Sequence, residues 1–120
     1  MAYFAGDDMD ELLQECKKLN SMLLESKEYK KFVSARKNLR RNEDLERKLR
    51  DLYARNREIQ EYSNNAYEET ERLYTENDEL LHNSIVNEYI RAESALCRLI
   101  RNMLDITADG IRFDYLDEGK

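Results

Sequence analysis

The sequence has no proline and no tryptophan, and its three glycines, Gly6, Gly110 and Gly119, all lie near the ends of 120 residues. Nothing between Asp7 and Asp109 is a strong helix breaker, which argues against a turn-rich, strand-built architecture. One histidine and two cysteines 81 positions apart leave no material for a Cys/His metal cluster or a disulfide framework. Two such isolated thiols are what a reducing compartment tolerates. No apolar run reaches the 18 residues or so that a membrane helix needs. The opening Met-Ala-Tyr-Phe-Ala-Gly-Asp-Asp lacks the basic and apolar regions of a signal peptide, so the expectation is a soluble, cytoplasmic protein without a membrane partner. Phosphate-cradling loops and paired nucleophile–base arrangements are also missing, which points away from an enzyme and from any cofactor.

What is present is charge and periodicity. Charged residues make up 38% of the chain and hydrophobic ones 41%, a balance that suits long solvated helix faces in one domain. The net charge of −6 is unevenly placed: residues 27–50 hold ten basic against four acidic side chains, a local +6, so the rest carries −12. The basic block, with Lys30, Lys31, Arg36, Lys37, Arg40 and Arg41, reads first as a solvated face with i,i+4 ion pairs. Contact with an acidic partner is a second reading. RNA is a minority reading, because few aromatics are interleaved for base stacking.

The strongest periodic signal runs from Leu45 to Leu81. Every seventh residue gives Leu45, Leu52, Ile59, Ala66, Leu73 and Leu80, with a polar row of Asn56, Ser63, Thr70 and Asn77 and a tyrosine row of Tyr53, Tyr67 and Tyr74 beside it. The pattern predicts one long helix over 43–81 with two apolar ridges. About 39 helical residues span roughly 58 Å, whereas a compact domain of this length has a radius of gyration near 14 Å. The molecule is therefore expected to be elongated.

Three further helices are expected. The first, over 8–25 and capped by Asp7 or Asp8, steps through Leu12, Cys16, Leu19 and Leu23. The second, over 27–41, has Ser26 as its N-cap. Asn42 is expected to cap the long helix, and Asn83 a fourth helix over 84–109, ahead of a short tail over 110–120. That fourth helix is the most apolar, with an arc wide enough to require cover from two sides. The turn at His82–Asn83 suggests that it folds back on the long helix. The expected fold is all-α: an elongated bundle of four helices built on that antiparallel hairpin, within the single domain 1–120.

Here the chain becomes recognisable. The segment Asn83-Ser84-Ile85-Val86-Asn87-Glu88-Tyr89-Ile90-Arg91-Ala92-Glu93 with Leu96 resembles the N-P-x-V-x-E-Y-x-x-A-E-x-x-L segment of the YlbF/YmcA family, with Ser84 in place of the usual proline. Ser26-Lys27-Glu28-Tyr29, Lys37-Asn38-Leu39, Asn42-Glu43-Asp44-Leu45 and the tail Ile111-Arg112-Phe113-Asp114-Tyr115-Leu116 are similar to the same group. The resemblance implies a bacterial regulator of competence, sporulation and biofilm development, working as a subunit of a complex that influences a phosphorelay and acts with RNase Y. Iron–sulfur clusters associated with that complex, and the Cys-rich tail some members carry, have no counterpart in Leu116-Asp117-Glu118-Gly119-Lys120.

Among individual residues, Cys16 and Cys97 read as small core hydrophobes and His82 as an exposed turn residue. Glu93 projects into the apolar arc of the fourth helix and needs a polar partner. The hairpin register points to Thr70, Tyr74 or Asn77. Replacing it by leucine is expected to keep the fold and to be neutral or stabilising. Tyr53, Tyr67 and Tyr74 form either intrachain core or an interface ridge, and Ile90, Cys97 and Leu104 offer the alternative interface. The functional expectation is a non-enzymatic, self-associating helical adaptor or regulatory subunit, a dimer by preference, with an unidentified protein partner; the alternative is an RNA-contacting protein using the basic block 27–50.

Overall fold

A computed structural model describes residues 7–113 of the chain. Within them the backbone forms six helices: α1 (Asp7–Leu24), α2 (Lys27–Arg40), α3 (Glu43–Tyr62), α4 (Ala66–Glu76), the single turn α5 (Asp78–Leu81) and α6 (Ser84–Thr107), with no strand among the described residues. The all-α expectation holds. The expected caps on Asp7 or Asp8, and the tail beyond residue 113, lie outside the described side chains and residues.

Two helix starts follow from local chemistry. The Ser26 hydroxyl accepts from the Tyr29 amide at 3.1 Å, and the Asn83 side chain accepts from the Ile85 and Val86 amides at 2.9 and 3.2 Å. Each satisfies amides that a helix N-terminus otherwise leaves bare. Asn42 does not cap α3 with its side chain; its amide instead donates back to the Asn38 carbonyl at 3.0 Å.

The expected helix over 43–81 is corrected to three pieces. It breaks at Ser63-Asn64-Asn65 and again at Asn77. Ser and Asn hydrogen-bond the backbone in competition with helical bonds, and here the Ser63 hydroxyl accepts from the Asn65 amide at 2.9 Å and pairs with the Glu69 carboxylate. The chain turns back, so α4 runs antiparallel to α3. Gln60 donates to Thr70 at 3.0 Å beside the turn, and Leu73 reaches Leu49 and Leu52 further along.

The hairpin expected at His82–Asn83 thus forms at 63–65, and α6 finds its main neighbour in α2. Those two helices are antiparallel: Leu39 meets Val86 in the core, and Phe32 meets the Tyr89 ring at 5.6 Å between centroids. The core is small. Leu39, Leu49, Leu52, Leu73 and the fully enclosed Val86 form it, with Tyr53, Tyr89 and Ile90 packed against its edge.

The elongated shape is as expected, with a radius of gyration of 19.7 Å and extents of 53 × 44 × 25 Å. Its source is different, however. Of the described helices, α1 packs only on α2, and the end of α6 runs past the start of α2. These two arms, rather than one long helix, give the molecule its length.

Candidate protein-interaction site

The arms are amphipathic helices whose apolar stripes have no neighbour. On α1, Leu12, Cys16 and Leu19 step by four and three and all lie exposed, Leu12 at 63%. On α6, Cys97, Ile100 and Leu104 step by three and four and are exposed as well, Leu104 at 64%. Met22 lies beside the α1 stripe, whereas Leu24 and Ile106 are exposed on other faces of their helices, about 120° round from Leu12 and about 160° round from Leu104. Sequence reasoning placed Cys16 and Cys97 in the core, with Cys97 also on the alternative interface. The core placement is corrected, because both thiols are exposed and their rows, though apolar, face no other described helix of the chain. Of the alternative interface residues, Leu104 is exposed, whereas Ile90 packs half-buried against the core. Leu12, Leu19 and Met22 were missed as surface candidates; the absence of a second apolar row in the first helix to pair with was the available signal.

The tyrosine row separates. Tyr67 and Tyr74 are exposed on α4, at 76% and 44%. Tyr53 is half-buried and donates to Glu93 Oε1 at 3.0 Å, while Tyr89 donates to Glu93 Oε2 at 3.1 Å. Glu93, itself on α6, therefore ties α6 to α3 through the Tyr53 phenol, while the Tyr89 bond lies within α6. The expected partners of Glu93 are engaged elsewhere: Thr70 accepts from Gln60, and Asn77 donates to the Leu73 carbonyl at 2.8 Å. The predicted register presupposed an unbroken helix, and the turn at 63–65 removes it. Burial first, and then the Glu93 bond, push the Tyr53 hydroxyl well above the usual tyrosine range. Burial, the Glu93 charge and its hydrogen bond raise Tyr89 too, with Arg36 and Arg40 pulling the other way.

The basic residues do not form one patch. Lys30 pairs with Glu25 at 3.6 Å, Arg40 with Glu46 at 3.8 Å, and Arg36 lies over the Phe32 ring at 5.2 Å. Lys31 faces a groove of about 460 Å³ between α2 and α6, floored by the small residues Ser34, Ala35, Ala92 and Ala95. Lys37 and Arg41 are exposed. Arg36 and Arg40 instead face a cleft between α2 and α3. Arg50 and Arg57, seven apart on α3, join them there and were not singled out from the sequence; their shared face was readable from that spacing.

Among the described residues, no three His, Cys, Asp or Glu side chains converge so as to hold a metal ion. The cysteines do not fit an iron–sulfur cluster either: each is alone on its helix, and α1 and α6 do not touch. Nor is any described helix long and apolar enough to cross a membrane.

No curated protein and no solved structure matches the chain. A family profile does, over residues 12–112, and its description reads "Control of competence regulator ComK, YlbF/YmcA". That match spans α1 to α6 almost entirely, including the Asn83–Glu93 segment and both arms. The chain belongs to this family of competence regulators.

Proposed function

We propose that the protein is a non-enzymatic regulatory subunit that self-associates through its two arms and acts as a helical adaptor in a complex. The resemblance sets the expected context, regulators of competence, sporulation and biofilm development that act with RNase Y. The observation that carries the reading is the pair of bare stripes on α1 and the end of α6. Isolated amphipathic helices of this length are marginal in water and draw most of their stability from burying the apolar face. Here that face has nothing in its own chain to bury against.

A size estimate bears on a second copy as the occupant. The exposed fractions of Leu12, Leu19, Met22, Ile100 and Leu104 amount to nearly three whole side chains. At ~100 Å² of apolar side chain each, that is on the order of 300 Å² per protomer. Two copies supply ~600 Å², and with an apolar share of about 65% the whole interface comes to roughly 900 Å², the size of a weak, reversible contact rather than a permanent one. Two arms with matching stripes can pair by a two-fold axis into four helices.

Light scattering at micromolar concentration tests this. A dimer is expected, and Leu19→Asp with Leu104→Asp should give a helical monomer. A wild-type monomer would overturn the reading. Dissociation by Tyr67→Ala with Tyr74→Ala, and not by the arm variants, would move the interface to α4.

A further inference from the structure

The cleft between α2 and α3 lies away from both arms and encloses about 300 Å³. Four guanidinium groups border it, from Arg36 and Arg40 one turn apart on α2 and from Arg50 and Arg57 two turns apart on α3. The single carboxylate on its lining is Glu46. The charge of the lining is therefore strongly positive in a protein whose net charge is −6. The floor is a different kind of surface: Leu39 and Leu49, both buried, and the Tyr53 and Tyr89 rings.

We propose that this cleft is a binding site for a small anion carrying two or more phosphoryl groups, either free pyrophosphate or the phosphates of a nucleotide. Three observations carry it. Arginine forks match phosphoryl oxygens two at a time, which a diffuse lysine patch does not do. No carboxylate holds the cationic groups tightly, and Arg36 makes its contact with the Phe32 ring, at 5.2 Å. Glu46 holds Arg40 and Arg50 only at 3.8 and 3.4 Å, both arginines being largely exposed, and among the described residues Arg57 makes no ion pair. An incoming oxyanion can displace pairs this long. Finally, one buried-edge carboxylate balances one guanidinium of four, so a monocarboxylate would leave the lining unbalanced where a di- or trianion would not. The field reaches the floor as well, since Arg36 and Arg40 act to lower the Tyr89 hydroxyl although burial and Glu93 raise it overall.

The site is separate from the self-association surface, so it can be tested at a concentration where the oligomeric state is fixed. Titration calorimetry of the full chain with pyrophosphate, and in parallel with ATP, both without divalent cations, is the direct measurement. Saturable binding is expected near one site per chain. Arg36→Gln with Arg57→Gln should weaken it at least tenfold. Glu46→Gln releases Arg40 and Arg50 and should tighten it several-fold, a gain that a merely structural role for Glu46 would not give. Arg101→Gln, on the far end of α6, is the control and should bind as wild type. ATP binding at least tenfold tighter than pyrophosphate would mean that the floor holds the nucleoside; equal affinities would make the phosphates alone the ligand. No saturation with either at millimolar concentration, or equal loss in Arg101→Gln and the cleft variants, would overturn the proposal. So would a 5′-hydroxyl RNA oligomer that binds far more tightly than pyrophosphate with a steep salt slope, because that is the signature of an extended nucleic-acid surface.

Discussion

The bond between Tyr53 and Glu93 joins residues 40 apart and ties α3 to α6 at the edge of a small core. A double-mutant cycle with Tyr53→Phe and Glu93→Gln isolates it. Tyr53→Phe removes one hydroxyl and no volume, and Glu93 keeps its bond from Tyr89 at 3.1 Å. A hydrogen bond to a charged acceptor contributes about 1.5–3 kcal/mol when enclosed, and ~1 kcal/mol is more apt here because both side chains are only half-buried. Glu93→Gln retains an acceptor and weakens both phenol bonds, so the coupling energy should be about 0.5–1 kcal/mol. For a domain of this length, 1 kcal/mol shifts the melting temperature by about 3–6 °C. The assay is urea unfolding followed by circular dichroism at one fixed protein concentration, because association adds to apparent stability. The slope with denaturant should not change. A coupling energy of zero, or a Tyr53→Phe variant as stable as wild type, would show that the phenol–carboxylate bond contributes nothing to holding α3 on α6.

Three other outcomes are expected. Glu93→Leu strands both phenols, so the neutral or favourable effect expected from the sequence becomes a loss of about 1–2 kcal/mol, softened by water at the two half-exposed hydroxyls; equal stability would mean that water replaces the carboxylate fully. Because Tyr53 and Tyr89 are raised above the ordinary value of about 10, the unfolded chain gives up these protons first. Their stabilisation is complete below that pH and is lost as pH rises through the folded values, so urea midpoints should fall above pH ~10 and fall less steeply in Tyr53→Phe. Val86→Ala opens space around a side chain that is fully enclosed and should cost about 2–3 kcal/mol in the same assay; a change below 0.5 kcal/mol would mean that the core closes over the gap.

Two helix starts were legible because they are local. Ser26 and Asn83 each sit next to the amides they accept from, and no tertiary contact is needed to decide the matter. The break at 63–65 was not legible, for an energetic reason. Ile59, Ala66 and Leu73 stay in phase through it, and Ser and Asn oppose a helix by only ~0.5–0.7 kcal/mol each relative to alanine. Folding back lets Leu73 bury against Leu49 and Leu52, worth about 1.5–3 kcal/mol for that side chain. A long-range gain of that size outweighs the local preference, and a heptad count does not contain it.

The same break explains what was legible of the candidate sites. The tyrosine row was read, as core or as interface ridge, on a continuous helix, and the turn between Tyr53 and Tyr67 sends the first to Glu93 and the other two to the surface of α4. Arg36 and Arg40 were readable as a pair on α2. Their company with Arg50 and Arg57 required knowing that α3 turns back alongside α2 at Asn42, which is a statement about packing. The apolar rows of the first and last helices were visible from spacing alone, though spacing does not say whether a neighbour exists to cover them.

The cysteines turn that question into a measurement. Cys16 sits between Leu12 and Leu19 on one arm, and Cys97 precedes Ile100 and Leu104 on the other, so each thiol reports on its own stripe. Both are exposed in the single chain. If the arms pair with those of a second copy, both stripes are covered and a thiol reagent reaches them only through dissociation or local opening. Native protein at micromolar concentration should then react at least tenfold more slowly than the Leu19→Asp, Leu104→Asp variant, and dilution should narrow the gap. An assembly through Tyr67 and Tyr74 on α4 predicts otherwise: the chain would still be dimeric by light scattering, yet both thiols would react as fast as free cysteine. Rapid modification of Cys16 with protection of Cys97 would leave the end of α6 as the interface and take α1 out of it.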